Sequence, residues 1–282
     1  MNRLAVLANG RVAVVAMSGE IGIWGAFSGT RFGSLPRQGP SRKALPVIAA
    51  LPDGRLAVGE ADGSIRLWNV SSRREVGRLD GQAAPVTAVA ALADGTLISG
   101  DRSGRIVRRE NDTGRIEQIF DNEHRGAVDA VIIQDEDFLL SLDGATRRLL
   151  TYHIWGGLYD CATALGQSPI TALAQVGDGW VAAGCSDHRI RLVDTLRGRP
   201  PSVLEGHRGA VTAVCPLDDC RMASAGCDGT VRFWDFVDDC EIACHRVDDV
   251  PSALALHPDG RLVIAGPKGE LSFMPFALPD IE

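Results

Sequence analysis

One short stretch, GHRGAVTAVCPLDDCRMASAGCDGTVRFWD (206–235), holds His207, Ser224 and Asp228. These are the ingredients of nucleophilic acyl transfer: a hydroxyl to attack, an imidazole to take its proton and a carboxylate to orient the imidazole. The same stretch ends on Trp234, which that chemistry does not need. Pieces of the pattern recur along the chain as Trp24, as Asp62 with Trp68, as Ser99, as His124 with Ser141, and as Asp187. A catalytic set is needed once and would not be scattered in fragments. The repetition argues against a catalytic role. No catalytic residue is assigned.

A second constellation is CEIACH (240–245), which brings Cys240, Cys244 and His245 together. Haem attachment requires two residues between the cysteines, and here there are three. On a strand, Cys240 and Cys244 share one face, as small buried side chains do. The seven cysteines, Cys161, Cys185, Cys215, Cys220, Cys227, Cys240 and Cys244, are odd in number, and no export signal precedes them. Reduced thiols are expected. No metal and no cofactor is expected. GCDG and GEADG are hairpin turns that lack the strand–loop–helix setting of a phosphate-binding loop.

The elements that position these residues form a repeat. MNRLAVLANG (1–10), LPVIAALPDG (45–54), VTAVAALADG (86–95), VDAVIIQDED (128–137), ITALAQVGDG (170–179), VTAVCPLDDC (211–220) and PSALALHPDG (251–260) each alternate apolar residues into a tight turn. The period is about 40–44 residues. A second strand, a second turn and a third strand follow each time, as in RLAVGEADGSIRLWN (55–69) and RMASAGCDGTVRFWD (221–235). Period-two alternation with Asp-Gly and Ser-Gly turns predicts antiparallel hairpins. FLLSLDGATRRLLTY (138–152) is the most divergent copy, with its Asp-Gly two residues early. A closed ring of such units needs no polar caps, because the first and last cover each other. The expectation is one all-β domain over 1–282, with blades at approximately 1–44, 45–85, 86–127, 128–169, 170–210, 211–250 and 251–282.

On these residues the chain resembles the WD40-repeat family of β-propellers, and the resemblance runs along essentially its whole length. It implies a seven-bladed propeller whose blades carry a hydrogen-bonded tetrad. The tetrad consists of a His before the inner strand, a Ser or Thr in the second, an Asp in the next turn and a Trp in the third. His207, Ser224, Asp228 and Trp234 match it in full, and the fragments match in part. Blade three carries Ser103 and Arg109 at the Asp and Trp places, and blade five carries Val193 at the Trp place. The resemblance also implies a non-catalytic platform for protein partners, with a binding rim on the top face. Carried over, that rim comprises Asn2, Met17, Ala44, Pro46, Pro85, Thr87, Arg102, Ala127, Asp129, Pro169, Thr171, Ala210, Thr212, Val250 and Ser252, with Ala61, Ser186, Cys227 and Pro267 beside them. Arg102 is the one member of a type enriched at binding hot spots, and Asp129 the one acid. Either this rim binds something modest, such as an extended peptide, or the main contact surface lies elsewhere.

Two linkers and one edge add candidates. AFSGTRFGSLPRQGPSRKA (26–44) is long and cationic. TYHIWGGLYDCATALGQS (151–168) gathers Tyr152, Trp155 and Tyr159, either as an outer strand packing on its own blade or as a binding patch. Chain-order counting leaves the last blade with three strands. Its edge at 271–277 either accepts a strand, from a partner or an N-terminal segment, or is blunted by Pro275 and Pro279.

Composition bounds the alternatives. The chain has 282 residues, 45% hydrophobic, with 32 Gly and 14 Pro, enough to bury a large core in short strands. Net charge is −7, and lysine occurs only as Lys43 and Lys268. An acidic chain without basic clusters is a poor nucleic-acid binder. No apolar run reaches the roughly 18 residues of a membrane span. A cytoplasmic protein is expected, and the Ala/Arg/Gly bias points to a bacterial source. The leading expectation is a protein-interaction scaffold within a larger complex. A regulatory or sensor subunit of a signalling or defence system is one alternative. A propeller-fold hydrolase is another, but the rim offers no acidic or His cluster for it.

Overall fold

The computed structural model describes residues 3–25, 29–36, 45–120, 123–197 and 199–275. They form seven antiparallel sheets, six of four strands and one of three, and contain no helix. Strands within each sheet follow chain order. In blade six the order is Val211–Pro216, Arg221–Gly226, Thr230–Asp235 and Cys240–Arg246, from the inside outwards. The seventh blade has Ala253–Leu256, Arg261–Ala265 and Leu271–Pro275. Inner strands of successive blades touch, and the first, Leu4–Val6, meets Ala253–Leu256 to close the ring. The closure buries Val12, Val14, Ala253, Val263 and Ala265, and the Met17 N–H donates to the Pro267 carbonyl across it.

Local sequence explains the turns. The first turn of most blades ends on a glycine at positive φ, for example Gly54 at 82° and Gly179 at 73°. That conformation costs glycine little. Blades four and six lack the glycine. There the carboxylates of Asp135 and Asp218 accept the backbone N–H groups of Asp137 and Phe138, and of Cys220 and Arg221. The side chain thus builds an Asx turn where the backbone has no glycine.

Packing between blades rests on a recurring close approach. A Cβ on Gly59, Gly100 or Gly184 in a second strand would lie 2.6, 2.4 or 2.6 Å from a methyl of Val86, Val128 or Val211 in the next blade. The absent side chain is therefore the space that the neighbouring inner strand fills. Strand alternation decides the rest: each blade sends one face of its sheet into the cluster on either side, as Ala213, Ala225 and Phe233 do with Leu254 and Ile264.

Candidate functional site

Blade six joins its four polar residues in a chain. The Trp234 indole N–H donates to Ser224 Oγ at 2.8 Å. Ser224 Oγ lies 2.7 Å from His207 Nε2, and His207 Nδ1 lies 3.1 Å from Asp228 Oδ2. Asp228 also accepts the Arg208 N–H at 2.7 Å and the Thr230 hydroxyl at 2.7 Å. Burial holds the His207 pKa below its ordinary value against the opposing pull of Asp228, so the ring is neutral. A neutral ring with its proton on Nδ1 donates to Asp228 and accepts the Ser224 hydroxyl at Nε2. This is the proton arrangement of a hydrolytic triad, but access is missing. Ser224 has no exposed surface, and its oxygen is already an acceptor for Trp234. A substrate carbonyl has no path to that oxygen.

Blades three to five build variants of this junction from different residues. In blade three Gln82 stands at the His place, and the Ser99 hydroxyl donates to its Oε1 at 2.9 Å. The carboxylate comes from Asp101, two residues after Ser99, which accepts the Ser103 N–H and hydroxyl. Arg109, at the Trp place, is fully buried and donates from Nη1 to the Asp80 carbonyl at 2.8 Å. In blade four His124 Nε2 lies 2.8 Å from Ser141 Oγ, and Asp143, again two residues on, accepts the Arg125 N–H. Burial pushes the His124 imidazole down to about 4, and only partly does Asp143 oppose this. Asp187 of blade five accepts the Ser168 hydroxyl and both terminal nitrogens of Arg191. The Arg191 hydrogen bonds hold the Asp187 carboxyl well below the usual range. Asp62 of blade two caps Ser64, and Trp68 is buried. Trp24 of blade one lies half-buried beneath the Arg31 guanidinium, 6.0 Å from it. The roles of Gln82, Asp101 and Asp143 escape a fixed-spacing search. The signal for the two carboxylates is an Asp two residues after the strand serine.

The comparisons agree with this geometry. The family profile described as "WD domain, G-beta repeat" matches residues 46–69 and 198–235, the second and sixth repeats. The chain is a WD40-repeat β-propeller. This propeller is 26% identical over 204 residues to mouse "Echinoderm microtubule-associated protein-like 1", covering 68% of this chain and 24% of that protein. It thus spans about a quarter of the length of the curated relatives it matches along most of its own. Among solved structures, one described as "Crystal structure of RRP9 WD40 repeats" superposes with a TM-score of 0.83 at 16% identity, over 97% of this chain and 93% of that one. A chain of "Crystal Structure of Mitotic Checkpoint Complex" gives 0.81 at 20% identity, over 98% and 87%. At such identities the two structures bear on the fold alone.

On the WD40 propeller's top face, Met17, Arg102, Pro169, Cys227 and Val250 are exposed, and the other described rim residues are half-buried. Asn2 and Ala44 lie outside the described residues. Several rim groups are already occupied, Thr87 and Thr171 in joining blades and Ser252 within blade seven. The Thr87 hydroxyl donates to the Val128 carbonyl, Thr171 to that of Val211, and Ser252 to those of Ala265 and Gly266. The carbonyls of Pro85, Ala127, Pro169 and Ala210 accept turn N–H groups. Burial pushes the Asp129 carboxyl up. Pro46 and Thr212 complete the ring of short side chains.

The remaining candidates separate cleanly. Tyr152 is buried and meets Tyr159 edge-on at 5.9 Å, the outer-strand packing expected of 151–168, whereas Trp155 is 58% exposed. Of the cationic linker, 26–28 and 37–44 lie outside the described residues, and 31–34 form the outer strand of blade one. Cys240 and Cys244 correct the sequence expectation: both are exposed. They sit on an outer strand with no blade beyond it, and a bulge opposite Phe233 and Trp234 slips the alternation between them. All seven thiols are free, and among the described residues no three His, Cys, Asp or Glu side chains converge as a metal site.

Proposed function

We propose that this propeller is a non-catalytic protein-interaction scaffold working inside a larger assembly. The observation that carries the reading is the burial of Ser224 within its own hydrogen-bond chain. The fully linked Ser–His–Asp chain of blade six holds a blade together, and the two faces of the ring are left as the surfaces on which function has to act. The matched mouse relative, a protein described as microtubule-associated, supports the same reading. The free thiols support a reducing, cytoplasmic setting. Affinity purification of the tagged chain from its own cell tests the proposal. A stoichiometric protein partner is expected. A chain that purifies alone and turns over an ester, lactone or amide in a hydrolase screen refutes it.

A second contact is favoured by blade seven. Leu271–Pro275 pairs with Arg261–Ala265 on one side, and among the described residues no strand pairs with the other. A cavity of about 370 Å³ lies along it between blades six and seven, lined by Val247, Leu271, Phe273 and Met274 among others. The reading is β-augmentation by a strand of the partner; residues 276–277 of that edge lie outside the described residues. Full protection of the Leu271–Pro275 amides from hydrogen exchange in the isolated chain would refute it.

A further inference from the structure

The two faces of the ring differ in shape and charge. On the bottom face, where the first and third turns of each blade lie, blades five to seven enclose an open groove of about 580 Å³. Its floor is apolar, formed by Val176, Val214, Pro216, Leu217 and Leu256. The third turns of blades four, five and six sit against the first turns of the same blades. Trp155 Nε1 donates to the Glu136 carbonyl, the Thr195 N–H to that of Gly179, and the Phe236 N–H to that of Cys220. These third turns carry Trp155, Leu158, Leu196 and Val237, each between 53% and 64% exposed. Single exposed apolar residues are unremarkable, but four on three consecutive blades, on the face that holds an apolar groove, make a patch. Part of it is already rigid, since the Arg108 guanidinium stacks 4.5 Å over the Trp155 ring. A contact made there orders little that is not ordered already.

Charge selects the occupant. The same turns carry exposed Asp135, Glu136, Asp137, Asp178, Asp219 and Asp238, and none has an ion-pair partner among the described residues. Two arginines lie on this face: Arg221, bonded to Asp218 at 2.6 Å, and Arg197, exposed in the third turn of blade five, so the carboxylates outnumber the cations there. A negative rim around an apolar floor repels nucleic acid and phosphate and attracts a cation carried on an apolar chain.

We propose that the bottom face of blades four to seven binds a cationic peptide segment of a partner protein. A large apolar side chain of the segment seats against Pro216, Leu217 and Leu256, and its Arg or Lys residues face Asp178, Asp219 and Asp238. This deepens the scaffold reading, on which it rests, by naming the face and the chemistry of the partner.

The test uses the purified full chain and a fluorescein-labelled peptide, Gly-Arg-Leu-Arg-Leu-Arg-Gly, followed by anisotropy. Saturable binding is expected, weakening between about 50 and about 300 mM salt. Peptides with Glu for Arg, or Ser for Leu, bind at least about tenfold more weakly. The triple variant Asp178→Asn, Asp219→Asn, Asp238→Asn keeps its melting temperature and loses at least about tenfold in affinity. A top-face variant, Met17→Ser with Arg102→Ser, binds as the parent does. Absence of saturation below about 1 mM overturns the proposal. So does a triple variant, or a Ser peptide, that binds as well as the original. A concentration-dependent dimer abolished by the triple variant and untouched by peptide also overturns it, because the face then belongs to a second copy of this chain. The scaffold reading fails separately, when affinity purification returns no partner. If a captured partner holds the triple variant as tightly as the parent, that reading stands and only the bottom-face site falls.

Discussion

Replacing Asp228 by Ala separates a structural fastener from a catalytic carboxylate. Four donors lose their acceptor: the Arg208 N–H, the Thr230 N–H, the Thr230 hydroxyl and His207 Nδ1. Arg208 is exposed, so its N–H turns to water. The Thr230 hydroxyl lies 3.3 Å from His207 Nδ1 and can rotate to accept from it, recovering part of one bond. The Thr230 N–H stays largely buried and unpaired, and the imidazole loses a charge-assisted partner. At about 1–3 kcal/mol for each buried group left wanting, less the recovered bond, the expected loss is about 2–3 kcal/mol. For a domain of this size that is a fall of about 3–5 °C in melting temperature. Urea unfolding followed by tryptophan fluorescence reads it, with Asp228→Asn as the milder control. The acid limb adds a second readout. Burial raises the Asp228 pKa, but the bonds from Arg208, Thr230 and His207 outweigh this and bring it to about 2, from an ordinary 3.8. A carboxyl lowered in the folded state adds stability above its unfolded pKa and loses it as pH falls from about 4 towards about 2. The Ala variant lacks that segment of the curve. Unchanged stability, together with loss of a defined hydrolytic reaction, would refute the structural assignment and return His207, Ser224 and Asp228 to catalysis.

Two further substitutions probe the variant junctions. His124 is neutral in the fold because burial lowers its pKa to about 4 from 6.5. Its contribution is therefore complete above pH 6.5 and is lost as pH falls to about 4, by at most about 3 kcal/mol. His124→Gln should keep the bond to Ser141, as Gln82 does with Ser99, and flatten urea midpoints across that window except for the part due to His207. An unchanged slope counts against the assignment. Arg109→Met removes a fully buried guanidinium whose Nε and Nη2 have no hydrogen-bond partner among the described residues. Stability should hold or rise by about 1 kcal/mol, and a loss above about 2 kcal/mol in urea unfolding contradicts this.

Much of the propeller is legible in the chain because its units are local. Each hairpin is a run of adjacent residues, so alternation and turn chemistry announce it, and the spacing of the turns from Gly10 to Gly260 counts the blades. The blade-six set is legible for the same reason: one unit holds His207, Ser224, Asp228 and Trp234 at family spacing. Legibility ends where a different residue fills the same space. Gln82 for His, and Asp101 and Asp143 arriving two positions early, keep the junction while breaking the pattern, because a hydrogen bond requires an atom in place and not a residue number. The exposed Cys240 and Cys244 mark another limit: alternation says which residues share a face, but not whether a neighbour covers it.

The sequence by itself determined the repeat, the strand count per unit and the one complete polar set. Only the tertiary structure decided that Ser224 is sealed from substrate, and that Thr87 and Thr171 are engaged in bonds at the blade junctions. It alone brought Trp155, Leu196 and Val237, each about one blade apart in the chain, to one face beside a groove edged with carboxylates. Hairpins form from contacts between near neighbours, whereas a surface is assembled by closing the ring, which joins residues whose separation along the chain carries no local signal.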